Sequence, residues 1–197
     1  SELASVIGYP VIIKAAAGGG GIGMQIVEKS DEFENALKLC QSRAKSAFGD
    51  ERVFVEKYIQ GAQHVEFQVL ADGKNAIHFG ERFCSIQRRH QKLVEEGPWL
   101  DEAKRAEIGD LVCRGAESVG YSGLATFEFL RDANGDFYFL EVNPRVQVEH
   151  TVTELITGYN LVELGIRVAQ GEKLPLSQED IVIRGHAIQC RLNAEDP

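Results

Sequence analysis

The 197-residue sequence has only four cysteines, Cys40, Cys84, Cys113 and Cys190, which form no Cys-x-x-Cys pair. This spacing argues against a zinc site, and a chain of this size does not need a disulfide framework. The sequence also lacks an apolar run of the roughly 20 residues that a membrane span needs. Its formal net charge of −9 argues against general nucleic-acid binding, because neutralising phosphates needs a basic surface. We expect reduced thiols, a cytosol-like compartment and no membrane or nucleic-acid partner.

The sequence does contain a mixture of strand and helix patterns. Alternating or β-branched stretches predict strands at 11–14, 22–28, 53–59, 64–71, 75–82, 124–130, 136–142 and 181–192. Amphipathic spacing predicts helices at about 31–48, 101–119, 151–157 and 161–169, the first with a capping box at Asp31 and Glu34. Hairpins outnumber regular β-α-β units, so the predicted class is α+β. Both ends are expected to be cut from a longer polypeptide.

A glycine-rich loop, formed by Gly18, Gly19, Gly20 and Gly21, lies between two predicted strands. A dinucleotide fingerprint would need a helix after it, and a Walker A loop would need Gly-Lys-Ser/Thr; neither follows. The loop therefore either closes its backbone amides over phosphates or is a flexible hairpin tip. Lys14, just before it, either meets a phosphate as a point charge or is an ordinary solvated lysine.

Two glutamates are predicted to face each other across a hairpin. If Asn134 and Gly135 form a two-residue turn, Glu128 lies directly opposite Glu141 on one face of the sheet. Like charges in that position are unfavourable, and a cation would resolve the conflict. Asn143 points to the same face, so these residues form an oxygen set suited to Mg²⁺. The alternative is a hairpin slipped by one residue, with one glutamate solvated.

Two charged segments accompany this hairpin. The run QRRHQK at 87–92 is either a solvated basic face or part of a site. The run PRVQVEH at 144–150 directly follows the predicted metal strand, and in an extended conformation it places Arg145, Gln147 and Glu149 on one side. Such donors around a carboxylate suit the capture and deprotonation of a small oxyanion. A salt-bridged strand end is the alternative.

These residues resemble the biotin carboxylase family of ATP-grasp enzymes. The matching stretches are GYPVIIKAAAGGGGIGM, VEKYI, HVEFQVLAD, SIQRRHQKLVEE, GYSGLATFEF, EVNPRVQVEH and GHAIQCRLNAEDP, and they run along nearly the whole chain. The resemblance implies a lid subdomain at 1–58, truncated at its start, and a central ATP-grasp subdomain at 59–197, truncated at its end. A half of the large chain of carbamoyl-phosphate synthetase is the alternative enzyme, and an ATP-binding module without turnover is the alternative outside enzymes.

The resemblance also implies roles for individual residues. Those of the nucleotide site are Lys14, Gly18, Gly19, Gly20, Gly21, Met24, Glu56, Lys57, Ile59, His64, Gln87 and His90. Glu128, Glu141 and Asn143 are similar to ligands of Mg²⁺ or Mn²⁺. Lys92, Arg145, Gln147 and Val148 resemble a bicarbonate pocket. Glu149 resembles the base that deprotonates bicarbonate, and Arg191 the residue that stabilises the biotin enolate.

The activity that the resemblance implies is ATP-dependent carboxylation of biotin through carboxyphosphate. Its expected partners are bicarbonate, a biotin carboxyl carrier domain, a carboxyltransferase and a second copy in a homodimer. The expected compartment is the cytoplasm, or the mitochondrial matrix in a eukaryote. Family members extend further at both ends, so the isolated chain is expected to turn over weakly or not at all.

Overall fold

The structure, a computed structural model, describes residues 2–17, 23–88 and 91–194. It divides the chain into two compact units, of which the first comprises the residues up to Gly61 together with Gln91 and the second comprises the other described residues from Ala62 onward. Both combine antiparallel sheets with helices. The predicted α+β class is thereby confirmed.

The first unit is a small three-stranded sheet with helices. Its elements are α1 (Glu2–Ile7), β1 (Val11–Ala15), β2 (Gln25–Val27), α2 (Phe33–Phe48) and β3 (Val53–Lys57), with strand order β2-β1-β3. The buried side of β1 and the apolar stripe of α2 form its core. Helix α1 was not predicted from the sequence. The predicted capping box is wrong, because residues 30–32 already turn as a 3-10 helix and no side chain caps α2.

The second unit is built on a six-stranded sheet of order β8-β7-β4-β5-β6-β9. Its strands are β4 (Gln63–Asp72), β5 (Ala76–Arg88), β6 (Gln91–Gly97), β7 (Ser122–Arg131), β8 (Phe137–Asn143) and β9 (Ala187–Cys190). Its helices are α3 (Glu102–Ser118), α4 (His150–Thr157) and α5 (Leu161–Ala169). Strand β6 was not predicted, and the strand predicted at 181–192 is only the four residues of β9.

Strand β4 at the centre of this sheet is buried on both faces. Its odd-numbered residues, such as Phe67 and Val69, pack with the apolar side of α3. On the opposite face Leu70 packs with α5, whereas Glu66 and Gln68 are buried polar residues. Because a buried polar group needs partners, this polar stretch of β4 locates the position where the unit departs from an ordinary hydrophobic core.

The β7–β8 hairpin confirms the predicted pairing but not the predicted turn. Asp132 N–H donates to the Asp136 carbonyl, which leaves a three-residue loop with Gly135 in the left-handed region at φ 93°. The register then shifts by one residue, since Leu140 has no partner on β7. This bulge brings Glu128 and Glu141 back opposite each other.

No helix in the described part of the chain combines the length and the apolar character that crossing a membrane requires.

Two glycines of α3 offer a matched test of its packing. A Cβ at Gly109 would lie 2.2 Å from Nε2 of the buried His78, whereas one at Gly115 would make an ordinary 3.5 Å contact with Phe127. We expect Gly115→Ala to stabilise the protein by up to about 1 kcal/mol, because glycine disfavours helices. Gly109→Ala should instead destabilise it by about 1–3 kcal/mol through overpacking. Urea unfolding measures both, and equal gains would show that His78 moves aside freely.

Candidate active site

A single row of charged residues crosses four strands of the large sheet. Glu141 on β8 pairs with Glu128 on β7, Glu128 pairs with Glu66 on β4, and Glu66 pairs with Arg82 on β5. Glu66 and Arg82 are fully buried and Glu128 is 5% exposed, while Glu141 is exposed. Neighbouring carboxylates on one face destabilise a sheet unless cations lie among them.

Lys92, projecting from β6, supplies the first such cation. Its Nζ contacts Glu66 Oε2, lies 2.9 Å from Glu128 Oε1 and lies 2.7 Å from Glu149 Oε1. An ammonium group has three N–H donors, so each can serve one carboxylate. Although burial alone would lower it, the surrounding carboxylates raise the pKa of Lys92 above its usual range. Lys92 is therefore charged at every physiological pH.

Cys84 lies beside the same carboxylates. Its Sγ and carboxylate oxygens of Glu66 and Glu149 are all within 4.8 Å of one another. Burial, followed by the charge of Glu66, raises the pKa of the Cys84 thiol well above its usual range. The thiol is therefore protonated at neutral pH.

Arg82 supplies the second cation, and all five of its N–H groups have an acceptor. Nε donates to Glu66 at 2.7 Å, and Nη1 donates to Gln68 at 2.9 Å and to Thr153 at 2.8 Å. Nη2 makes two longer contacts, 3.4 Å to Thr126 and 3.5 Å to Gln147. The guanidinium thus joins the sheet to α4 and to the segment that precedes this helix.

Glu149 lies between two cations. Its Oε1 accepts from Lys92, and its Oε2 lies 2.9 Å from Arg191 Nη2. Burial would raise the pKa of Glu149, but the charge and hydrogen bond of Lys92 lower it below its ordinary value. Arg191 also donates through Nε to Glu95 at 2.7 Å. Burial raises the pKa of Glu95, which has one oxygen without a hydrogen-bond partner in the described part of the chain.

Glu128 has the most partners of the carboxylates in the row. Besides Lys92 it accepts from Asn143 at 3.0 Å and from Gln147 at 2.9 Å, and its Oε2 lies 2.8 Å from His64 Nε2 without good hydrogen-bond alignment. Burial would raise its pKa, yet His64 and Lys92 lower the pKa of Glu128 far below the usual range. Gln87 donates to His64 Nδ1 at 2.9 Å, which leaves the ring proton on Nε2.

The predicted metal ligands converge in this structure. Asn143 Nδ2 donates to Glu128 and, at 3.3 Å, to Glu141, so the amide nitrogen points at both carboxylates. Asn143 Oδ1 accepts from Arg145 at 3.1 Å. The two carboxylates face each other and have an amide beside them. This set of ligands fits Mg²⁺ or Mn²⁺ once the amide turns its oxygen toward the carboxylates.

The segment at 144–150 is not extended as predicted. His150 N–H donates to the Gln147 carbonyl, so the chain turns before α4 begins. Gln147 and Glu149 are still buried on the same side, but Arg145 and Val148 are exposed. The prediction that Arg145 shares a side with Gln147 and Glu149 is therefore wrong, because the turn breaks the alternation.

The predicted nucleotide residues of the first unit lie on its strands and loops. Lys14 forms an ion pair with Glu56 on the neighbouring strand, which shows that it is not simply solvated. Lys57 donates to the carbonyls of Gly8, at 2.8 Å, and Tyr9, at 3.2 Å. The other predicted members of this group within the described residues are Met24 and Ile59, both half-buried. The residues Gly18, Gly19, Gly20, Gly21 and His90 lie outside the described residues.

Sequence reasoning missed three buried charges of the candidate site, those of Glu66, Arg82 and Glu95. A signal was present for the first, since the alternation of HVEFQVLA places His64, Glu66 and Gln68 on one face of β4. Glu95 gave no comparable signal, because its strand was not predicted.

This fold and this site have counterparts among known proteins. The family described as carbamoyl-phosphate synthase L chain, ATP binding domain, matches residues 1–177, and the chain belongs to this family. Biotin carboxylase 2, chloroplastic, from Populus trichocarpa is 56% identical over 198 residues, which are 99% of this chain and 38% of the relative.

Two solved structures share the fold as well as the sequence. The biotin carboxylase domain dimer of Hydrogenobacter thermophilus 2-oxoglutarate carboxylase, with MgADP, ADP and bicarbonate, is 49% identical with a TM-score of 0.94. The match covers 100% of this chain and 44% of that chain. A biotin carboxylase complex with β,γ-ATP from Campylobacter jejuni is 53% identical, also with a TM-score of 0.94, covering 99% of this chain and 44% of that one. The fold is ATP-grasp, as the resemblance implied. The chain spans about two fifths of the length of the curated relatives it matches.

Removing Lys92 should change how stability depends on pH. In the native protein the pKa values of Glu128 and Glu149 are lowered, so their contribution is present at neutral pH and lost as the pH falls. In Lys92→Met burial is less opposed, so both pKa values lie higher than in the native protein and less stability is gained between acidic and neutral pH. We expect a loss of about 3–5 kcal/mol at pH 7, typical of a broken buried ion pair.

Urea unfolding with a chelator present, at acidic and at neutral pH, measures this effect. Lys74→Met, at an exposed lysine of the same unit, is the matched control. If the stability difference between Lys92→Met and the native protein were the same at both pH values, the coupling to the carboxylates would be refuted.

Proposed function

We propose that this chain is the ATP-binding core of a protein that carboxylates biotin with bicarbonate. The membership of the ATP-binding family and the biotin carboxylases at 49–56% identity support this proposal. The alternative, half of a carbamoyl-phosphate synthetase, is not favoured, because these relatives are biotin carboxylases over the whole of this chain.

The observation that carries the proposal is the position of Glu149 between Lys92 and Arg191. A buried carboxylate flanked by two cations stays ionised, so it can accept a proton. The same cations attract a small anion such as bicarbonate to the carboxylate. Bicarbonate binding would draw Lys92 away from Glu149 and thereby raise the pKa of this base when it is needed.

Roles in nucleotide binding are proposed for individual residues. Lys14, the glycine loop at 18–21 and Met24 are proposed to contact ATP phosphates. Glu56, Lys57 and Ile59 are proposed for the adenine, and His64, Gln87 and His90 for ribose and phosphates. Lys14 then has to exchange its ion pair with Glu56 for a phosphate. That exchange costs little, since both partners lose only a partly solvated contact.

A divalent cation would be held by Glu128, Glu141 and Asn143. It would supply charge neutralisation for the phosphates during phosphoryl transfer. Within the protein, Asn143 must rotate its amide, so that Glu128 Oε1 loses the Asn143 nitrogen and keeps the hydrogen bond from Gln147.

Carboxylation is proposed to proceed in two steps. A bicarbonate oxygen attacks the γ-phosphorus of ATP, the bond to ADP breaks, and Glu149 takes the bicarbonate proton, giving carboxyphosphate. Carboxyphosphate then releases CO₂ and phosphate beside biotin, the released phosphate takes the proton of the ureido nitrogen, and this nitrogen attacks the CO₂. Arg191 is proposed to stabilise the enolate oxygen of biotin, while Lys92, Arg145, Gln147 and the Val148 backbone hold bicarbonate.

The full-length protein is proposed to act with a biotin carboxyl carrier domain and a carboxyltransferase. A homodimer is also proposed, as the solved Hydrogenobacter domain is described as a dimer. The proposed compartment is the cytoplasm.

The two chemical steps should separate on mutation of the full-length protein. Glu149→Gln should lower both bicarbonate-dependent ATP cleavage and carboxybiotin formation by at least about a hundredfold, because general-base catalysis contributes that much. Arg191→Ala should lower carboxybiotin formation at least about tenfold more than ATP cleavage, because the enolate forms only in the second step. Phosphate and carboxybiotin are measured side by side.

Arg191→Lys is the second variant for this test. Alanine leaves the buried Glu95 without its partner, whereas lysine keeps the charge. Equal losses of both activities in both Arg191 variants would contradict the proposed division of roles. Carbamate-dependent ATP cleavage without a biotin requirement would support the synthetase alternative.

The two proposed metal carboxylates should differ in their effect on stability. Glu141→Gln should weaken Mg²⁺-dependent ADP binding about tenfold or more with little change in stability, because Glu141 is exposed. Glu128→Gln should weaken binding similarly and also cost about 1–3 kcal/mol, because it loses charge-assisted contacts with Lys92 and His64. Titration calorimetry at several Mg²⁺ concentrations and urea unfolding measure the two effects. Unchanged Mg²⁺ dependence in both variants would refute the metal assignment.

A further inference from the structure

Arg82 is the most deeply buried cation of the second unit, with no exposed surface. Its five N–H groups reach Glu66, Gln68, Thr153, Thr126 and Gln147. None of the proposed chemical steps gives it a role. Burying such a charge is costly, and its ion pair with Glu66 uses only one of the five N–H groups.

The contact with Gln147 determines which way that carboxamide faces. Arg82 can only donate, and it takes the Gln147 oxygen; ionised Glu128 can only accept, and it takes one hydrogen of the Gln147 nitrogen. With a donor on one side and an acceptor on the other, only one of the two orientations of the Gln147 amide allows both hydrogen bonds. The second N–H of Gln147 is then available to an incoming anion.

A reversed carboxamide would have the opposite effect. Its oxygen would meet Glu128, and no N–H would be directed at the anion. Loss of Arg82 removes the group that holds the oxygen, while Glu128 alone fixes only one hydrogen of the amide. The anion-binding donor would then depend on a single contact.

We propose that Arg82 is a positioning residue for bicarbonate, acting by fixing the carboxamide of Gln147 with its N–H groups toward the anion. This inference rests on the proposed function, because Gln147 contacts bicarbonate only if the chain is a biotin carboxylase. Arg82 itself touches no substrate in this proposal. Lysine cannot replace it, since an ammonium group lacks the planar fork that reaches Glu66 and Gln147 at once.

The test uses the full-length protein and compares Arg82→Lys with Thr153→Val. Thr153 accepts from Nη1, on the other arm of the guanidinium, so its loss leaves an Arg82 donor unsatisfied without touching Gln147. We expect Arg82→Lys to raise the KM for bicarbonate at least about tenfold, as for the loss of a charge-assisted contact, with the KM for ATP changed less than about twofold. Thr153→Val should lower the melting temperature but leave the KM for bicarbonate unchanged, and Thr153→Ser should restore the melting temperature.

A double variant tests whether Arg82 acts through Gln147. In a Gln147→Met background the Arg82→Lys change should cause no further rise in the KM for bicarbonate. Additive effects would overturn the proposal. The proposal would also be overturned if the KM for bicarbonate rose in proportion to the loss of thermal stability in both Arg82→Lys and Thr153→Val. A residue with a purely structural role would behave in that way.

If Arg82→Lys does not fold, both charges of the buried pair are removed together. Arg82→Gln with Glu66→Gln is then compared with Glu66→Gln alone, and only the double variant should show the larger bicarbonate KM. Equal values in these two proteins would overturn the proposal. The proposed function fails separately, since in that case the unsubstituted protein would show no bicarbonate-dependent ATP cleavage.

Discussion

Three glutamates placed side by side on neighbouring strands are the constraint on which the second unit depends. Glu141, Glu128 and Glu66 share one face of the sheet in direct register. Glu66 and Glu128 are buried and would repel each other without the cations that reach them, whereas Glu141 is exposed to solvent. Lys92 and Arg82 meet this demand from two other strands, so the sheet order itself delivers the charges that hold it together.

These cations have no spare donors within the described residues. Each N–H of Lys92 and of Arg82 can be assigned to a neighbouring acceptor. An incoming anion must therefore displace a carboxylate from Lys92, whereas Arg82 is too deeply buried to exchange partners. Lys92 suits substrate exchange because an ammonium group on a flexible stem can change partners, and Arg82 suits rigid orientation because its guanidinium is planar.

Sequence patterns predicted the elements that rely on local signals. The ends of helices α3 and α5 were predicted to within one residue, because Asp101 and Asn160 cap them and their apolar stripes are regular. Strand β6 was missed because its sequence, Gln91–Gly97, reads as a charged run; its burial depends on partners far along the chain.

In the candidate site too, sequence patterns predicted what depends on local signals and missed what depends on distant partners. The convergence of Glu128, Glu141 and Asn143 followed from strand alternation, which is a local property. The pairing of Glu66 with Arg82 and the reach of Lys92 across to β7 follow from sheet order, which no single segment encodes. Arg145 was misplaced because a turn at 147–150 replaced an extended strand.

The bulge at Leu140 has a consequence for how the β7–β8 hairpin tolerates change. The loop has three residues and the bulge has one. Their sum is an even number of unpaired residues, as it would be for an even-numbered loop without a bulge. Twelve residues separate Glu128 from Glu141 in either arrangement, so both satisfy the same pairing at the open end. The pairing of Glu128 with Glu141 therefore does not depend on the conformation of the hairpin tip. Sequence changes at 132–136 are free to alter the turn type as long as the number of residues is kept, whereas after the deletion of one residue Glu141 stays opposite Glu128 only if the bulge is lost or the loop shortens to two residues.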